Sequence, residues 1–503
     1  MPMPDAANAY DTVLYPGGIY LQTHPDRLAV MGILFGMETA AVERCRVLEI
    51  GCGEGSNLIA MAYGLPRSEF IGIDLAGKSI EMAQARVKRA GLANIRLQQL
   101  DLMETGPDFG QFDYIIAHGL YAWVPRPVQD KLLVVCNQNL SPNGVAFISY
   151  NANPGGHVRR VLRDMMLFHT GRMGESRERV QQGKSFVQKV LEAMDTRIPW
   201  RNVLEYEFKQ MCERDDSVIY HDEYSPHFSP VYFADFIGHA EQHGLQFLSE
   251  ARLLDVLVPQ VKPEARMALS ELAGNDLLAY QQYLDFVRFR KFRQTLLCHR
   301  EIRLRQDGFH SGLRRLLVAS ELKSSVEQAD GFCEFSSERG AGSIKTNKPV
   351  TIAVLRHLEQ IWPRAERFDD LAGIACAQIP NARQDDVVEE LSEVVLRLAA
   401  GTLMDLRTHH LLLAEGVSER PTASLLARLE SQESQFVSTQ LHTRVKFEDD
   451  QGRRFLRLLD GTRDRRALAE AVAADLPHIL PEMILGHVNS QLVNLRRMGL
   501  LVA

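Results

Sequence analysis

The stretch Val47-Leu-Glu-Ile-Gly-Cys-Gly-Glu-Gly-Ser-Asn57 decides how the fold of this 503-residue chain is read. Val47 to Ile50 reads as a short buried strand, and Gly51, Gly53 and Gly55 as a tight turn. From Ser56 onward the apolar positions Leu58, Ile59, Met61 and Ala62 open a helix. Glycines suit such a turn because it needs unusual backbone angles and lets a ligand approach the main chain. The first amides of the following helix then offer free N–H groups and partial positive charge to an anionic group.

A three-glycine turn is a weak signal alone, and its surroundings sharpen it. Glu69-Phe-Ile-Gly-Ile-Asp74 is a second apolar strand ending in an acid that can accept both hydroxyls of a ribose. The dinucleotide fingerprint requires glycine where this chain has Ser56, which disfavours NAD and favours S-adenosylmethionine. No G-x-x-x-x-G-K-[ST] phosphate loop occurs. Asn94 to Asp101 supplies a third strand, whose terminal acid could accept from an adenine amino group. Phe112 to Ala117 supplies a fourth, leading into His118-Gly-Leu-Tyr-Ala-Trp-Val-Pro125. A helix over Leu132–Leu140, a turn at Ser141–Gly144 and a fifth strand at Val145–Tyr150 follow. Strands alternating with helices predict a parallel sheet with ligand at the carboxyl ends of its strands.

Length predicts two to four domains. A net charge of -7 argues against loose binding to a nucleic-acid backbone. The seven cysteines are scattered, with no C-x-x-C pair, which points to a reducing compartment and gives no metal site. Met1 to Asp5 lacks a signal segment and no apolar run reaches membrane-spanning length, so the cytoplasm is the default and no membrane partner is expected.

Residues 1–46 read as a lid or cap segment, with Tyr15-Pro-Gly-Gly-Ile-Tyr20 as a turn and a helix from about Asp26. Residues 47–157 and 228–259 read as the nucleotide-binding domain, interrupted by a helical insertion at 158–227. Residues 260–330 read as a helical linker region. Within it, Phe286, Phe289, Phe292 and Leu296 form a helical stripe that leaves the neighbouring arginines solvated. Residues 331–410 and 411–503 echo one another loosely and resemble winged-helix modules; the charge favours protein contact or a homodimer over DNA. The expected architecture is α/β: a Rossmann-like sheet with a helical insertion, then mainly helical C-terminal domains.

Strand, glycine turn, helix, strand and acid, in that order, resemble the class I S-adenosylmethionine-dependent methyltransferases. Further stretches narrow the resemblance: Y-x-x-T-H-P at Tyr20, H-G-x-Y-x-W-V-P at His118, S-Y-N-x-x-P-G-x-H at Ser149, His221-Asp-Glu-Tyr224 and Asp285 to Arg293. Together they are similar to bacterial methyltransferases with a methyltransferase regulatory domain, a group that includes rickettsial protein lysine methyltransferases. That family carries aromatics around the Pro-Gly after strand five, where this chain has Ala152, Asn153 and Gly156.

The resemblance implies N-methylation of a protein lysine; a small-molecule acceptor, or a binding protein on a methyltransferase scaffold, stays open beside it. Expected cofactor residues are Gly51, Gly53 and Gly55 against the methionine part, Asp74 with Leu75 at the ribose and Asp101 with Leu102 at the adenine. Glu49 and Asn57 would shape the turn, and His118 would flank the cofactor. Near the methyl group we expect His118, Tyr121 and Trp123 after strand four, Tyr150 and Asn151 after strand five, and Tyr15 and Tyr20 as aromatic walls. An aromatic, poorly hydrated channel favours the neutral amine and stabilises a methylated cation. No metal is expected, because methyl transfer gains chiefly from alignment.

Overall fold

The structure is a computed structural model that describes residues 13–503 apart from 172, 174–176, 259, 306–307, 326–330, 339 and 475–480. Met1 to Asp5 and the expected boundary positions Pro259 and Asp330 lie outside the described residues. A first helix, α1 (Pro25–Leu34), leads to β1 (Arg46–Ile50), α2 (Ser56–Gly64), β2 (Glu69–Asp74), α3 (Gly77–Ala90) and β3 (Ile95–Gln99). Then come β4 (Phe112–Ala117), α4 (Arg126–Asn139) and β5 (Leu140–Asn151). These five strands are parallel, with Val47 opposite Phe70 and Leu48 opposite Ile115. Val47, Leu48, Ile115, Ile116, Phe147 and Ile148 are all buried, as expected of strands covered on both faces.

After β5 the chain leaves the sheet for four helices, α5 (Gly156–Thr170), α6 (Arg177–Ala193), α7 (Pro199–Cys212) and α8 (Asp216–Tyr224). They bury a core of their own, with Leu162, Met166, Val187 and Ile219 in it. The chain returns through Val231, which pairs with Ala152, into α9 (Phe233–Gln242) and β6 (Leu245–Glu250).

Three further helices, α10 (Leu253–Leu257), α11 (Pro263–Ala273) and α12 (Leu277–Arg288), precede β7 (Phe292–His299). The sheet order is β3-β2-β1-β4-β5-β7-β6. β7 is antiparallel to both β5 and β6, so the sheet is mixed where a parallel one was expected. The expected helical stripe also gives way. Phe289 takes φ +50°, α12 ends, and Phe292 and Leu296 belong to a strand inserted between β5 and β6. Arg293, expected on a solvated face, is fully buried.

The C-terminal third is mainly helical. Helices Pro349–Ile361, Phe368–Gln378 and Gln384–Ala400 lie with a three-stranded sheet built from Leu317–Ala319, Glu366–Arg367 and Asp405–Arg407. Its first strand lies within the region expected as linker. Val354, Leu371 and Leu398 share one continuous core with Leu28, Val47 and Phe147 of the methyltransferase-like part. The last segment has a separate core around Leu456, Leu468, Leu492 and Leu500. Among the described residues, no helix is long and apolar enough to cross a membrane.

Candidate active site

The carboxyl ends of β1, β2, β4 and β5 bring the expected residues to one edge of the sheet. Gly51, Gly53 and Gly55 all have positive φ (76°, 53° and 71°), a conformation that side chains rarely tolerate. A Cβ on Gly53 would meet nothing within 4 Å, whereas one on Gly55 would press Leu97 at 2.9 Å. Gly53 is therefore the point of open approach to the backbone, and Gly55 lets α2 pack on the sheet. Asp74 binds the turn from β2: one carboxylate oxygen accepts from the Gly53 amide at 2.8 Å and the other from the Ala76 amide at 2.9 Å. Leu75 is exposed beside it. Asp101 caps a short turn by accepting from the Met103 amide at 2.9 Å, and Leu102 is buried beneath.

Glu49 is buried at the end of β1, where burial pushes its carboxyl up to about 7. Its Oε1 accepts from Asn57 at 2.8 Å, while Oε2 is buried without a hydrogen-bond partner. Such an oxygen suits a cationic donor, and an ammonium beside an open glycine turn is what the methionine end of S-adenosylmethionine presents. The residues present fit that group.

Asn57 does more than shape the turn. Its Nδ2 also donates to the Thr23 hydroxyl at 3.0 Å, and its Oδ1 accepts from the Tyr20 amide at 3.1 Å. His442 Nε2 reaches the same Oδ1 at 3.0 Å. One side chain thus ties the N-terminal segment and the C-terminal domain to the glycine turn. Arg444 adds a bond to the Gly17 carbonyl at 3.1 Å. The segment from Gly17 to Thr23 therefore lies across the turn.

Tyr20 stacks on His118 with ring centroids 3.9 Å apart, and Phe147 and Phe292 flank the imidazole at 6.0 and 6.3 Å. Burial holds His118 down to about 4, so the ring is neutral near pH 7. Tyr15 lies against His221 at 5.6 Å, and Trp123 packs on Phe228 at 4.9 Å beneath the Arg159 guanidinium.

Tyr121 does not wall this space. It is 1 % exposed, packs edge-on against Phe236, and its hydroxyl bonds His239 Nδ1 at 2.8 Å. Tyr150 is likewise in the core, stacked on Phe236 with its hydroxyl 3.2 Å from Thr295. Both belong to the support of the edge. Asn151 is buried at the end of β5, where its carbonyl accepts from the Val231 amide.

The loop after β5 is closely packed. A Cβ on Gly156 would lie 2.6 Å from Pro230, and one on Gly155 would overlap the Lys291 side chain and the carbonyls of Phe289 and Arg290. Close backbone carbonyls thus require a small residue at 155, and the Pro230 ring requires one at 156. Beneath the loop lies a charge network absent from the sequence reading. Arg293 reaches Asp285 and Glu250, each at 2.8 Å, and Arg290 adds a bond to Glu250 at 3.1 Å. Glu250 in turn accepts from Thr295, the partner of Tyr150, at 3.0 Å.

These shifts set the acid limb of stability. Burial lowers His118 to about 4 and His24 to about 3, and pushes His442 well below the ordinary histidine value. Below pH ~6.5 the unfolded chain binds protons at these rings that the folded chain refuses, so stability falls as pH falls. Each ring contributes up to ~1.4 kcal/mol per pH unit in that window. Glu49, whose folded value is raised, acts in the opposite direction between about pH 4.5 and 7, as do the raised Asp285 and Glu430, while the lowered His221 and His239 act with the three rings. Denaturant midpoints should therefore drop progressively between pH 6.5 and 4, and by less in His442→Gln measured against its own pH 7 value.

Comparisons with known proteins agree with this geometry. A methyltransferase domain model matches residues 47–144, a predicted methyltransferase regulatory domain matches 215–299, and a PKMT C-terminal winged helix domain matches 419–478. An uncharacterised protein of Rickettsia prowazekii (strain Madrid E) is 29 % identical, covering 98 % of this chain and 88 % of that one. A second protein from the same organism, also uncharacterised, is 36 % identical over 48 % of this chain and 96 % of its own length. The structure of PKMT2 from Rickettsia typhi in complex with AdoHcy superposes with a TM-score of 0.86 at 26 % identity, covering 97 % of this chain and all of that one. With the glycine turn, the β2 acid and the antiparallel seventh strand in place, the chain belongs to the class I S-adenosylmethionine-dependent methyltransferases that carry a methyltransferase regulatory domain.

Proposed function

We propose that this enzyme methylates the side-chain amine of a protein lysine. The observation that carries the reading is the Tyr20–His118 stack at the edge of the glycine turn, flanked by Phe147 and Phe292. It is supported by a likeness to a PKMT2 structure along nearly the whole chain. S-adenosylmethionine supplies an electrophilic methyl on sulfur.

The chain's own residues do the holding. The Gly51–Gly55 backbone and Glu49 Oε2 take the methionine part, with Asn57 fixing the Glu49 carboxylate. Asp74 and Leu75 take the ribose, and Asp101 and Leu102 the adenine. His118, neutral and stacked, serves as a wall at the cofactor, with Tyr20 outside it and Tyr15 and Trp123 as outer walls. A lysine must shed its proton before its lone pair attacks the methyl carbon; the C–S electron pair then leaves with sulfur. A poorly hydrated aromatic wall lowers the amine's pKa from about 10.4 and so favours the reactive form. His118, at about 4, is too weak a base to hold that proton, which therefore passes to solvent. The unpaired cysteines Cys45, Cys52, Cys136, Cys212, Cys298, Cys333 and Cys376 support a reducing, cytoplasmic setting.

The test is transfer of radiolabelled methyl from S-adenosylmethionine into a protein extract and, separately, into a small-molecule extract. Label recovered as methyl-lysine after acid hydrolysis is the expected result. Label confined to small molecules would remove the lysine reading and leave the methyltransferase standing.

A further inference from the structure

We propose that Asp130, His239 and His243 form a binding site for a divalent transition-metal ion of the zinc type. Asp130 projects from α4; His239 lies on the last turn of α9 and His243 caps that helix. A separation of four on one helix places both imidazoles on one face, the spacing that many metal sites use. One ligand atom from each of the three residues lies within 4.8 Å of the other two.

The detailed geometry at His239 points to a ligand. Its buried Nε2 already stands 2.8 Å from Asp130 Oδ1, so a nitrogen and a carboxylate oxygen of the trio face one another. An ion entering between them would replace that close contact and spread the two atoms to the spacing of ligands held about 2 Å from one metal. The other ring nitrogen, Nδ1, is held at 2.8 Å by the Tyr121 hydroxyl. Metal-bound histidines are fixed in this way through their second nitrogen, which sets the tautomer and the ring plane. The His239 side chain is 3 % exposed, while Asp130 and His243 are partly open to solvent.

Two imidazoles and one carboxylate suit zinc, nickel or copper better than magnesium or calcium, which prefer all-oxygen sites. A solvent molecule would complete a tetrahedral set. Arg126 competes for the same oxygen, with its Nε 2.9 Å from Asp130 Oδ1, but that ion pair is exposed and hence weak. The site lies behind the active edge: Tyr121 follows β4 in the same loop as His118, so an ion on His239 braces that loop without touching the reacting atoms.

The experiment is calorimetric titration of Zn2+, and separately of Ni2+, into the chelator-stripped full chain, with Asp130→Asn and His243→Ala alongside. Both substitutions fall at partly exposed positions, and circular dichroism checks that each variant is folded. We expect one ion per chain in wild type, affinity reduced at least ~10-fold in each variant, and a metal-dependent rise in thermal midpoint that both variants lose. No saturable binding by wild type overturns the proposal. So does binding that is unchanged in both variants, since the ion would then sit elsewhere.

Discussion

Replacing Asp74 by alanine should weaken S-adenosylmethionine binding by at least ~100-fold, or about 2.7 kcal/mol, with the protein still folded. Two losses combine. Under the proposed assignment the carboxylate accepts the ribose hydroxyls, and a charged acceptor makes stronger hydrogen bonds than a neutral one. The same group accepts from the Gly53 and Ala76 amides, so its removal also frees the glycine turn that meets the methionine part. Asp74→Asn separates the two effects, because its amide oxygen can still accept from one of these N–H groups; it should lose less. Isothermal titration of the cofactor analogue S-adenosylhomocysteine reads both. Wild-type affinity in Asp74→Ala would remove Asp74 from the cofactor site.

Arg293→Met should destabilise the fold by about 3–5 kcal/mol, because it leaves Glu250 and Asp285 as buried acids without their main counter-charge. Arg293 holds both carboxylates, lies over the Phe233 ring at 3.9 Å and is completely buried. Removing the charges on both sides, in Arg293→Met with Glu250→Gln and Asp285→Asn, should recover part of the loss, since the penalty comes from unpaired ions rather than from missing contacts. Denaturant unfolding of the wild type, the single variant and the triple variant measures it. If the single variant loses less than ~1 kcal/mol, the network is wet and weak, as exposed pairs are.

The first five strands and the glycine turn were legible because their signals are local: short apolar runs, Gly residues at positive φ and acids at strand ends. β7 was not. Its Phe292-Arg-Gln-Thr-Leu-Leu-Cys-His299 begins with a polar-looking alternation whose buried arginine makes sense only beside Glu250 and Asp285, which arrive from other elements. The aromatic spacing of the preceding helix ran on into the strand, and Phe289 at positive φ carried no sequence mark of the break. At the site, the glycines and acids that end β1 and β2 could be placed from local signals, whereas Tyr121 and Tyr150 resembled channel walls only because their partners Phe236 and His239 come from a helix beyond the insertion. Asn57 was visible as part of the turn. Its bond to His442 was invisible to any local signal.

That bond has a consequence for how the enzyme is made. On a ribosome, the glycine turn and Tyr20 emerge early, yet the imidazole that pins Asn57 is residue 442, and the acid pocket at Asp26 waits for Thr408 and His409. Contacts so distant in sequence close late, after the entropy of a long loop has been overcome. The nascent chain must therefore carry the glycine turn and the segment that crosses it without these anchors until residues 408 to 442 have emerged.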